Sequence, residues 1–235
     1  MSHKVLLIIP AFNEADNIEA LIANLHRHKL DAVIINDGST DNTASICRQL
    51  GANIVNLPCN LGIGGAVQTG YKYAYEHGYD IAIQFDGDGQ HPAEFVPALI
   101  TPLLNDEADM TIGSRYIKKE GFQSTFARRM GIVYFSRLIR MISGKTVTDP
   151  TSGFRAVNKK IMSIFATQYP TDYPEPESIV HVLRVGGRIT EIPVVMLERV
   201  GGRSSIHSFR SVYYMIKVSL AILIDALRGS RIKSI

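Results

Sequence analysis

The sequence predicts an α/β fold with a mostly parallel sheet, and two observations support this. Short, continuous apolar runs alternate with amphipathic segments through the first half of the chain. Apolar runs without internal alternation are typical of strands that helices cover on both faces, as in parallel sheets. In addition, the chain has 235 residues, 46% of them hydrophobic, which is enough for one large domain with a sizeable core.

The first half contains five predicted strands separated by helical patterns, an alternation that favours parallel pairing. The strands are VLLIIP (Val5 to Pro10), AVIIND (Ala32 to Asp37), NIVNL (Asn53 to Leu57), DIAIQFD (Asp80 to Asp86) and DMTIGS (Asp109 to Ser114). Helices are expected at residues 15–28, 41–50, 64–77 and 92–104.

The second half is less regular. It contains a predicted helix near residues 125–142, the turn-rich TVTDPTSGF, a short helix from Asn158, an extended stretch at 188–195 and a last helix from Ser208. We expect one domain over residues 1–205, followed by an amphipathic helix and a basic tail over 206–235.

Composition excludes few functions. A net charge of +3 is too small to predict nucleic acid as a partner. The chain has two cysteines, and a strand-like VLLII follows Lys4 at once where a signal peptide would have a longer apolar segment. We therefore expect a cytosolic, reduced protein.

Polar and acidic side chains follow four of the five predicted strands. We call the residues that directly follow a strand the exit of that strand. Ligands of open α/β sheets bind beyond the carboxyl ends of the strands, so these polar exits predict a ligand site. Asp41 alone is better explained as the cap of the next helix. The exits are PAFNE (10–14), NDGSTD (36–41), NLGIGG (60–65), DGDGQ (86–90) and GSR (113–115).

Asp86 and Asp88 are separated by one glycine directly after a strand. Two neighbouring carboxylates repel each other, so a cation is expected between them. Their oxygens suit Mg²⁺ or Mn²⁺, with substrate phosphate and water completing the coordination, and Gln90 could add another oxygen. A solvent-exposed turn is the alternative. Other phosphate motifs are missing, because GIGGAVQTG lacks the G-x-G-x-x-G spacing and no G-x-x-x-x-G-K-[ST] occurs.

Seven motifs together resemble a known family. They are PAFNE, INDGSTD, NLGIGGA, DGDGQHP, GSRY, TDPTSGFR and RVGGRSS, in this order between Val5 and Ser205. The ordered set resembles glycosyltransferase family 2, and within it the dolichol- or polyprenyl-phosphate sugar transferases. The resemblance implies a GT-A fold, a UDP- or GDP-sugar donor and inverting transfer to a lipid phosphate.

The resemblance also implies roles for individual residues. Two positions depart from the family pattern: Asn36 replaces the first of two aspartates, and the late motif ends in Ser205 instead of lysine. Arg203 would therefore carry more of the late motif's role. The implied donor contacts are Pro10, Asn13, Glu14, Asp37, Asp86 and Arg203, the metal ligands are Asp86, Asp88 and Gln90, and the acceptor-phosphate contacts are Arg115, Arg129 and Arg155.

The acceptor determines whether the reaction needs a base. A phosphate monoester has a second pKa of about 6 and is largely dianionic at pH 7, so it needs cations rather than a base. Arginines such as Arg115, Arg129 and Arg155 suit this task. Asp149 could cap its turn, orient Arg155 or act as a base for a hydroxyl acceptor, and we favour the orienting role. Glu177 is a second candidate base or a first-turn charge.

The last helix bears on location. VYYMIKVSLAILIDAL (Val212 to Leu227) is interrupted by Lys217 and Asp225, so its apolar stretches are too short to cross a bilayer. Tyrosines at one end and basic residues after the other predict an interfacial helix on the cytoplasmic face of the membrane. A buried packing or oligomer helix is the alternative, and a small membrane-protein partner and a second copy of this chain are the candidate protein partners.

We therefore predict a metal-dependent, inverting glycosyltransferase with Asp88, Asp149, Arg155 and Arg203 as its catalytic residues. It would transfer one sugar from a nucleotide donor to a polyprenyl phosphate. One alternative is a family 2 enzyme that extends a polysaccharide or glycolipid hydroxyl. Another is a sugar nucleotidyltransferase, which also uses a metal-binding acidic pair but needs a basic, glycine-rich loop after the first strand.

Overall fold

The computed structural model describes residues 3–87, 92–118, 126–195 and 208–227. Within them the chain forms a seven-stranded sheet with helices on both faces. The strands are β1 (Val5–Ala11), β2 (Ala32–Asn36), β3 (Ile54–Asn56), β4 (Ile81–Gln84), β5 (Met110–Ser114), β6 (Arg155–Asn158) and β7 (Ile189–Pro193). The helices are α1 (Ile18–Arg27), α2 (Thr43–Gln49), α3 (Gly62–Glu76), α4 (Val96–Leu104, after a 3₁₀ turn Ala93–Phe95), α5 (Phe126–Ser143), α6 (Lys159–Thr167), α7 (Pro174–Arg184) and α8 (Ser208–Leu227).

The strand order is β3-β2-β1-β4-β6-β5-β7, and the pairs are parallel except those that involve β6. The predicted mostly parallel α/β sheet is thus confirmed. Strand β6 was not predicted, because it has only four residues, begins with a charged arginine and follows a run of turn formers. Helix α7 was predicted only as far as one interpretation of Glu177, as a first-turn charge, implies a helix there, since its first turn contains two prolines.

Each side of the sheet has its own core. Alternate residues of β1 point to opposite faces, so Leu6 and Ile8 join one core while Leu7 and Ile9 join the other. Helix α3 lies unusually close to the sheet at Gly70, where a Cβ atom would lie 2.1 Å from Ile8 Cγ2. This glycine of GIGGAVQTG therefore serves helix–sheet packing rather than phosphate binding.

Helix α8 packs on one side and exposes apolar residues on the other. Val218 and Ile222 are buried in the core shared with α5 and α7. Among the α8 residues whose side chains the structure describes, four large apolar ones are exposed: Ile216, Leu220, Leu223 and Ile224. Within the described ranges, no helix has the length and apolar character needed to cross a membrane.

Candidate active site

The strand exits meet at one edge of the sheet. Strands β1 and β4 are parallel neighbours, and a Cβ on Gly87 would lie 3.4 Å from the carbonyl oxygen of Pro10. Because β6 runs antiparallel to β4 and β5, the residues that precede it lie at the same edge. The fold thus brings Asp86 and Gly87, the described start of the predicted metal segment, together with the segment TDPTSGFR.

The exits of β1 and β2 are joined by side-chain to backbone hydrogen bonds. Asn13 has a left-handed backbone (φ 55°), which asparagine tolerates better than most residues. Its Oδ1 accepts from the Thr40 N–H at 2.9 Å, and its own N–H donates to Ser39 Oγ at 2.9 Å. The Glu14 N–H donates to Thr43 Oγ1 at 2.9 Å. These bonds fix the loops in which the donor contacts were predicted.

Asp41 holds two loops in place. Its Oδ1 accepts from the Thr43 N–H at 2.9 Å, at the start of α2, and its Oδ2 accepts from the Ala15 N–H at 3.1 Å. Desolvation opposes ionisation, but the hydrogen bonds from Thr43 and Ala15 outweigh it and lower the pKa of Asp41. Asp41 thus binds the first N–H of α2, although Asn42 and not Asp41 is the N-cap residue of that helix.

Asp37 caps the start of α3. Its side chain is almost fully buried, and its two oxygens accept from the N–H groups of Leu61 at 2.7 Å and Gly62 at 2.9 Å. A carboxylate at this position satisfies N–H groups that have no partner within the helix and complements the helix dipole. Its contact with a nucleotide stays a prediction.

Asp86 follows β4, half-buried at the centre of this edge. The turn before β6 lies against it, because a Cβ on Gly153 would lie 2.8 Å from Asp86 Oδ2. A partly exposed carboxylate supplies the hard oxygen that Mg²⁺ and Mn²⁺ prefer. Among the described residues, no three His, Cys, Asp or Glu side chains are grouped so as to hold a metal. Asp88 and Gln90 lie outside the described residues, so their role as ligands stays a prediction.

Arg115 and Asp149 form a buried, bidentate ion pair beside Asp86. Arg115 Nε lies 2.7 Å from Asp149 Oδ2, and Nη2 lies 2.8 Å from Oδ1. Although desolvation opposes it, the Asp149 carboxylate raises the pKa of Arg115, and the charge of Asp86 acts in the same direction. Arg115 Nη2 also donates to Thr151 Oγ1 at 3.3 Å. Asp149 therefore orients Arg115. The prediction that Asp149 orients Arg155 is wrong.

The buried position of Arg155 does not allow it to contact a phosphate directly. It is fully buried because it begins β6, between β4 and β5. Its guanidinium donates only to protein groups within the described residues: the carbonyl oxygens of Ser152, Pro150 and Glu175, and Ser178 Oγ. The direct acceptor contact expected from the sequence is corrected to a supporting role, in which Arg155 joins the turn before β6 to the start of α7.

Helix α7 brings Glu175, rather than Glu177, towards the site. Burial raises the pKa of the Glu175 carboxyl against the opposing charge of Arg155, and nearby Asp86 raises it further. Glu177 lines a separate cavity of about 280 Å³ with Asp172 and Lys217, next to α8. Glu175 was not among the residues predicted from the sequence. Glu175 and Ser178 are three residues apart and therefore lie on one helix face, and this spacing was the available signal.

Basic residues of α5 lie near Arg115. Arg128 and Arg129 are exposed, and the charges of Arg115, Arg128 and Arg129 all oppose the rise that burial causes in the pKa of Tyr116. The guanidinium of Arg115 lies 5.6 Å from the centre of the Tyr116 ring. Two predicted acceptor residues, Arg115 and Arg129, are thus near one tyrosine. Arg203 lies outside the described residues.

Comparison of the sequence with known families identifies the class of protein to which this fold and site belong. Residues 6–165 match glycosyl transferase family 2. The chain belongs to this family.

Several relatives are named for transfer to lipid phosphates. UDP-N-acetylglucosamine–dolichyl-phosphate N-acetylglucosaminyltransferase of Methanococcus voltae is 29% identical over 94% of this chain and 98% of its own length. Undecaprenyl-phosphate mannosyltransferase of Micrococcus luteus is 27% identical over 86% of each chain. Dolichol-phosphate mannosyltransferase of Pyrococcus furiosus is 30% identical over 68% of this chain and 47% of its own. The sugars in these names differ.

Solved structures confirm the GT-A type of fold. Glucosyl-3-phosphoglycerate synthase from Mycobacterium tuberculosis, in complex with Mn²⁺, UDP and glucosyl-3-phosphoglycerate, matches with a TM-score of 0.73. The match covers 98% of this chain and 82% of that one at 20% identity, so it bears on the fold alone.

Proposed function

We propose that this glycosyltransferase moves one sugar from a UDP- or GDP-sugar to a polyprenyl phosphate, with inversion, on the cytoplasmic face of a membrane. The observation that carries the proposal is the Arg115 guanidinium, which Asp149 holds beside Asp86. A fixed, planar cation suits a phosphate oxygen. The names of the relatives support the same acceptor class.

The reaction follows from the charges at the sheet edge. An oxygen of the acceptor phosphate attacks the anomeric carbon, and the bond from that carbon to the nucleoside diphosphate breaks, with its electron pair leaving on the diphosphate. Arg115 and Arg129 would bind the acceptor phosphate and hold its oxygen in line. The acceptor is already ionised at neutral pH, so no protein base is needed.

Asp86, Asp88 and Gln90 would hold Mg²⁺ or Mn²⁺. When bound, the ion supplies positive charge that stabilises the departing diphosphate. Arg203 would contact the same diphosphate, and Asn13, Glu14 and Asp37 would line the nucleotide side. The hydrogen bonds of Asn13 and Asp37 support this placement, because they fix the loops at the exits of β1 and β2.

The exposed faces of α5 and α8 support attachment to a membrane surface. Tyr134 Oη lies 2.9 Å from Ser219 Oγ and joins the two helices. Arg137 and Arg140 of α5 are exposed and suit anionic headgroups. Among the side chains described in these two helices, the exposed apolar ones, which we call the two-helix face, are Met130, Val133, Tyr134, Met141, Ile216, Leu220, Leu223 and Ile224.

The function is tested by supplying radiolabelled UDP- and GDP-sugars one at a time, with undecaprenyl phosphate in detergent and Mg²⁺ or Mn²⁺. We expect label from one donor to enter the organic phase only when lipid and metal are both present. Release of pyrophosphate from a nucleoside triphosphate would indicate a nucleotidyltransferase instead. Absence of lipid label with every donor would contradict the proposal.

Membrane attachment is tested by sedimentation with anionic vesicles. Removing α8 would also remove Val218 and Ile222 from the core, so exposed residues should be changed instead. We expect Leu220→Glu with Ile224→Glu to release the protein, while Leu104→Glu, an exposed leucine of α4, leaves it bound. Equal sedimentation of both variants would contradict the two-helix face.

A further inference from the structure

Glu191 lies in the edge strand β7 and holds the turn that contains Asp149. One carboxylate oxygen, Oε1, accepts from the Asp149 N–H at 2.8 Å and from Thr148 Oγ1 at 2.9 Å. The other, Oε2, accepts from the Thr148 N–H at 2.7 Å. Three donors of two adjacent residues are therefore fixed by a side chain more than 40 residues away in sequence.

The same turn determines where Arg115 points. Besides its two side-chain bonds to Asp149, Arg115 donates its backbone N–H to Asp149 Oδ2 at 3.2 Å. Thr148 Oγ1 lies 2.6 Å from Ser114 Oγ, on the residue before Arg115. Strand β5, which ends at Ser114, and strand β7 are paired in parallel, with Ile112 opposite Glu191. Glu191, the turn and Arg115 thus form one connected set.

The far end of the turn lies against Asp86. Gly153 follows Asp149 by four residues and approaches the Asp86 carboxylate so closely that a Cβ would lie 2.8 Å from Oδ2. A shift of the turn would therefore change the position of Arg115 relative to Asp86. Such a separation matters for catalysis, because displacements of about 1 Å can cost about 100-fold in rate.

We propose that Glu191 is a positioning residue for phosphate binding, which fixes the Thr148–Asp149 turn and through it the direction of the Arg115 guanidinium beside Asp86. It acts through Asp149 and contacts no ligand itself. The inference rests on the proposed function, because only there does Arg115 bind a phosphate. The mechanical part of the inference is that Glu191 holds the turn and thereby fixes Arg115, and this part depends only on the hydrogen bonds.

Glu191→Gln is the sharpest substitution. The amide keeps the size of the side chain but replaces one accepting oxygen by an NH₂ group, which would face N–H donors of the turn. A buried donor that loses its acceptor is costly, so the turn should shift to find another partner. Glu191→Asp keeps both oxygens on a shorter side chain and should have a smaller effect.

Nuclear magnetic resonance of the arginine Nε–H groups tests the mechanical part without any substrate. The Arg115 signal, assigned by its loss in Arg115→Lys, should exchange slowly with solvent in the unaltered protein because it is buried and bonded to Asp149. We expect Glu191→Gln to speed its exchange about tenfold or more. The control is Arg188→Gln, which loosens the start of β7 at Asp106 and Asp109 without touching the turn. Unchanged Arg115 exchange in Glu191→Gln would overturn the inference, whatever the protein's activity.

Transfer kinetics test the functional part. Glu191→Gln should lower kcat/KM for the lipid phosphate by about tenfold to 100-fold, and Arg115→Lys should cost little more in that background. If the free-energy losses calculated from kcat/KM for Glu191→Gln and for Arg115→Lys simply add in the double variant, the functional part of the inference is overturned. If the unaltered protein transfers no sugar at all, the proposed function fails while the exchange measurement still decides the role of Glu191.

Discussion

The two halves of the candidate site are held together by different interactions. On the donor side, the side chains of Asn13, Asp37 and Asp41 accept hydrogen bonds from backbone N–H groups of neighbouring loops. On the acceptor side, Arg115 and Asp149 neutralise each other in a buried pair. Capping bonds are worth about 1 kcal/mol each. Breaking a buried ion pair costs about 3–5 kcal/mol, because one charge is left without a partner. The acceptor side should therefore tolerate substitution less well.

The largest effect should come from Asp86, where the two halves meet. Asp86→Asn keeps the shape of the side chain but removes the charge that would bind metal. We expect transfer to fall roughly 100-fold or more, since a metal ion contributes several kcal/mol to such reactions. The unfolding midpoint in urea should change little. A variant that keeps its activity, or that fails to fold, would contradict the assignment of Asp86 as a ligand.

Asp149→Asn should damage the acceptor side. It leaves the buried Arg115 guanidinium without its counter-charge, so we expect the free energy of unfolding to fall by about 3–5 kcal/mol. Denaturant titration measures this loss. Arg115→Met in the same chain removes the orphaned charge and should restore part of the stability, although not the activity. A double variant that is less stable than Asp149→Asn alone would contradict the interpretation that Asp149 neutralises the buried charge of Arg115.

Asp37→Ala should have a smaller effect on the donor side. It removes the acceptor of the Leu61 N–H and one of the two acceptors of the Gly62 N–H, whose other acceptor is Asn60 Oδ1, and should cost about 1 kcal/mol of stability, as loss of a helix cap does. Asp37→Asn, which keeps one oxygen, serves as the control and should cost less. The apparent KM for the donor should rise in Asp37→Ala more than the KM for the lipid. The opposite order would remove Asp37 from the donor side.

The smallest effect concerns Asp109, which lies away from the site at the start of β5. Burial opposes its ionisation, but hydrogen bonds from Arg188 and Asn158 outweigh this and lower its pKa. A carboxyl whose folded pKa is lowered stabilises the fold above its unfolded pKa, and this contribution is lost as the pH falls through the folded value. Asp109→Asn should therefore be less stable at neutral pH but lose less stability on acidification. Parallel pH profiles would contradict this.

The sequence predicted the donor side better than the acceptor side for a physical reason. Five predicted strands are present close to their expected bounds, because continuous apolar runs report burial directly. The exits they define place Asn13 and Asp37 at one edge. By contrast, the partner of Asp149 is 34 residues away at Arg115, and the wrong arginine was favoured. Spacing along the chain contains no information on such a pairing until β6 is known to be antiparallel.

Burial was the second limit of sequence analysis. Arg155 belongs to a motif that resembles a phosphate-binding one, yet it begins a central strand and is fully buried. Glu191 lies within the short edge strand ITEIP, where a single glutamate reads as an exposed side chain. Its three hydrogen bonds to the turn of Asp149 depend on the parallel pairing of β5 and β7, which joins residues nearly 80 positions apart.

We expect the site to receive a phosphate rather than a hydroxyl. This is tested most directly by comparing undecaprenyl phosphate with undecaprenol, the same lipid without the phosphate, as acceptors for the preferred labelled donor. We expect transfer to the phosphate alone, and a loss of that transfer in Arg115→Lys while donor binding is retained. Transfer to undecaprenol at a comparable rate, unaffected by Arg115→Lys, would contradict it and would make Glu175 the next carboxyl to test as a base.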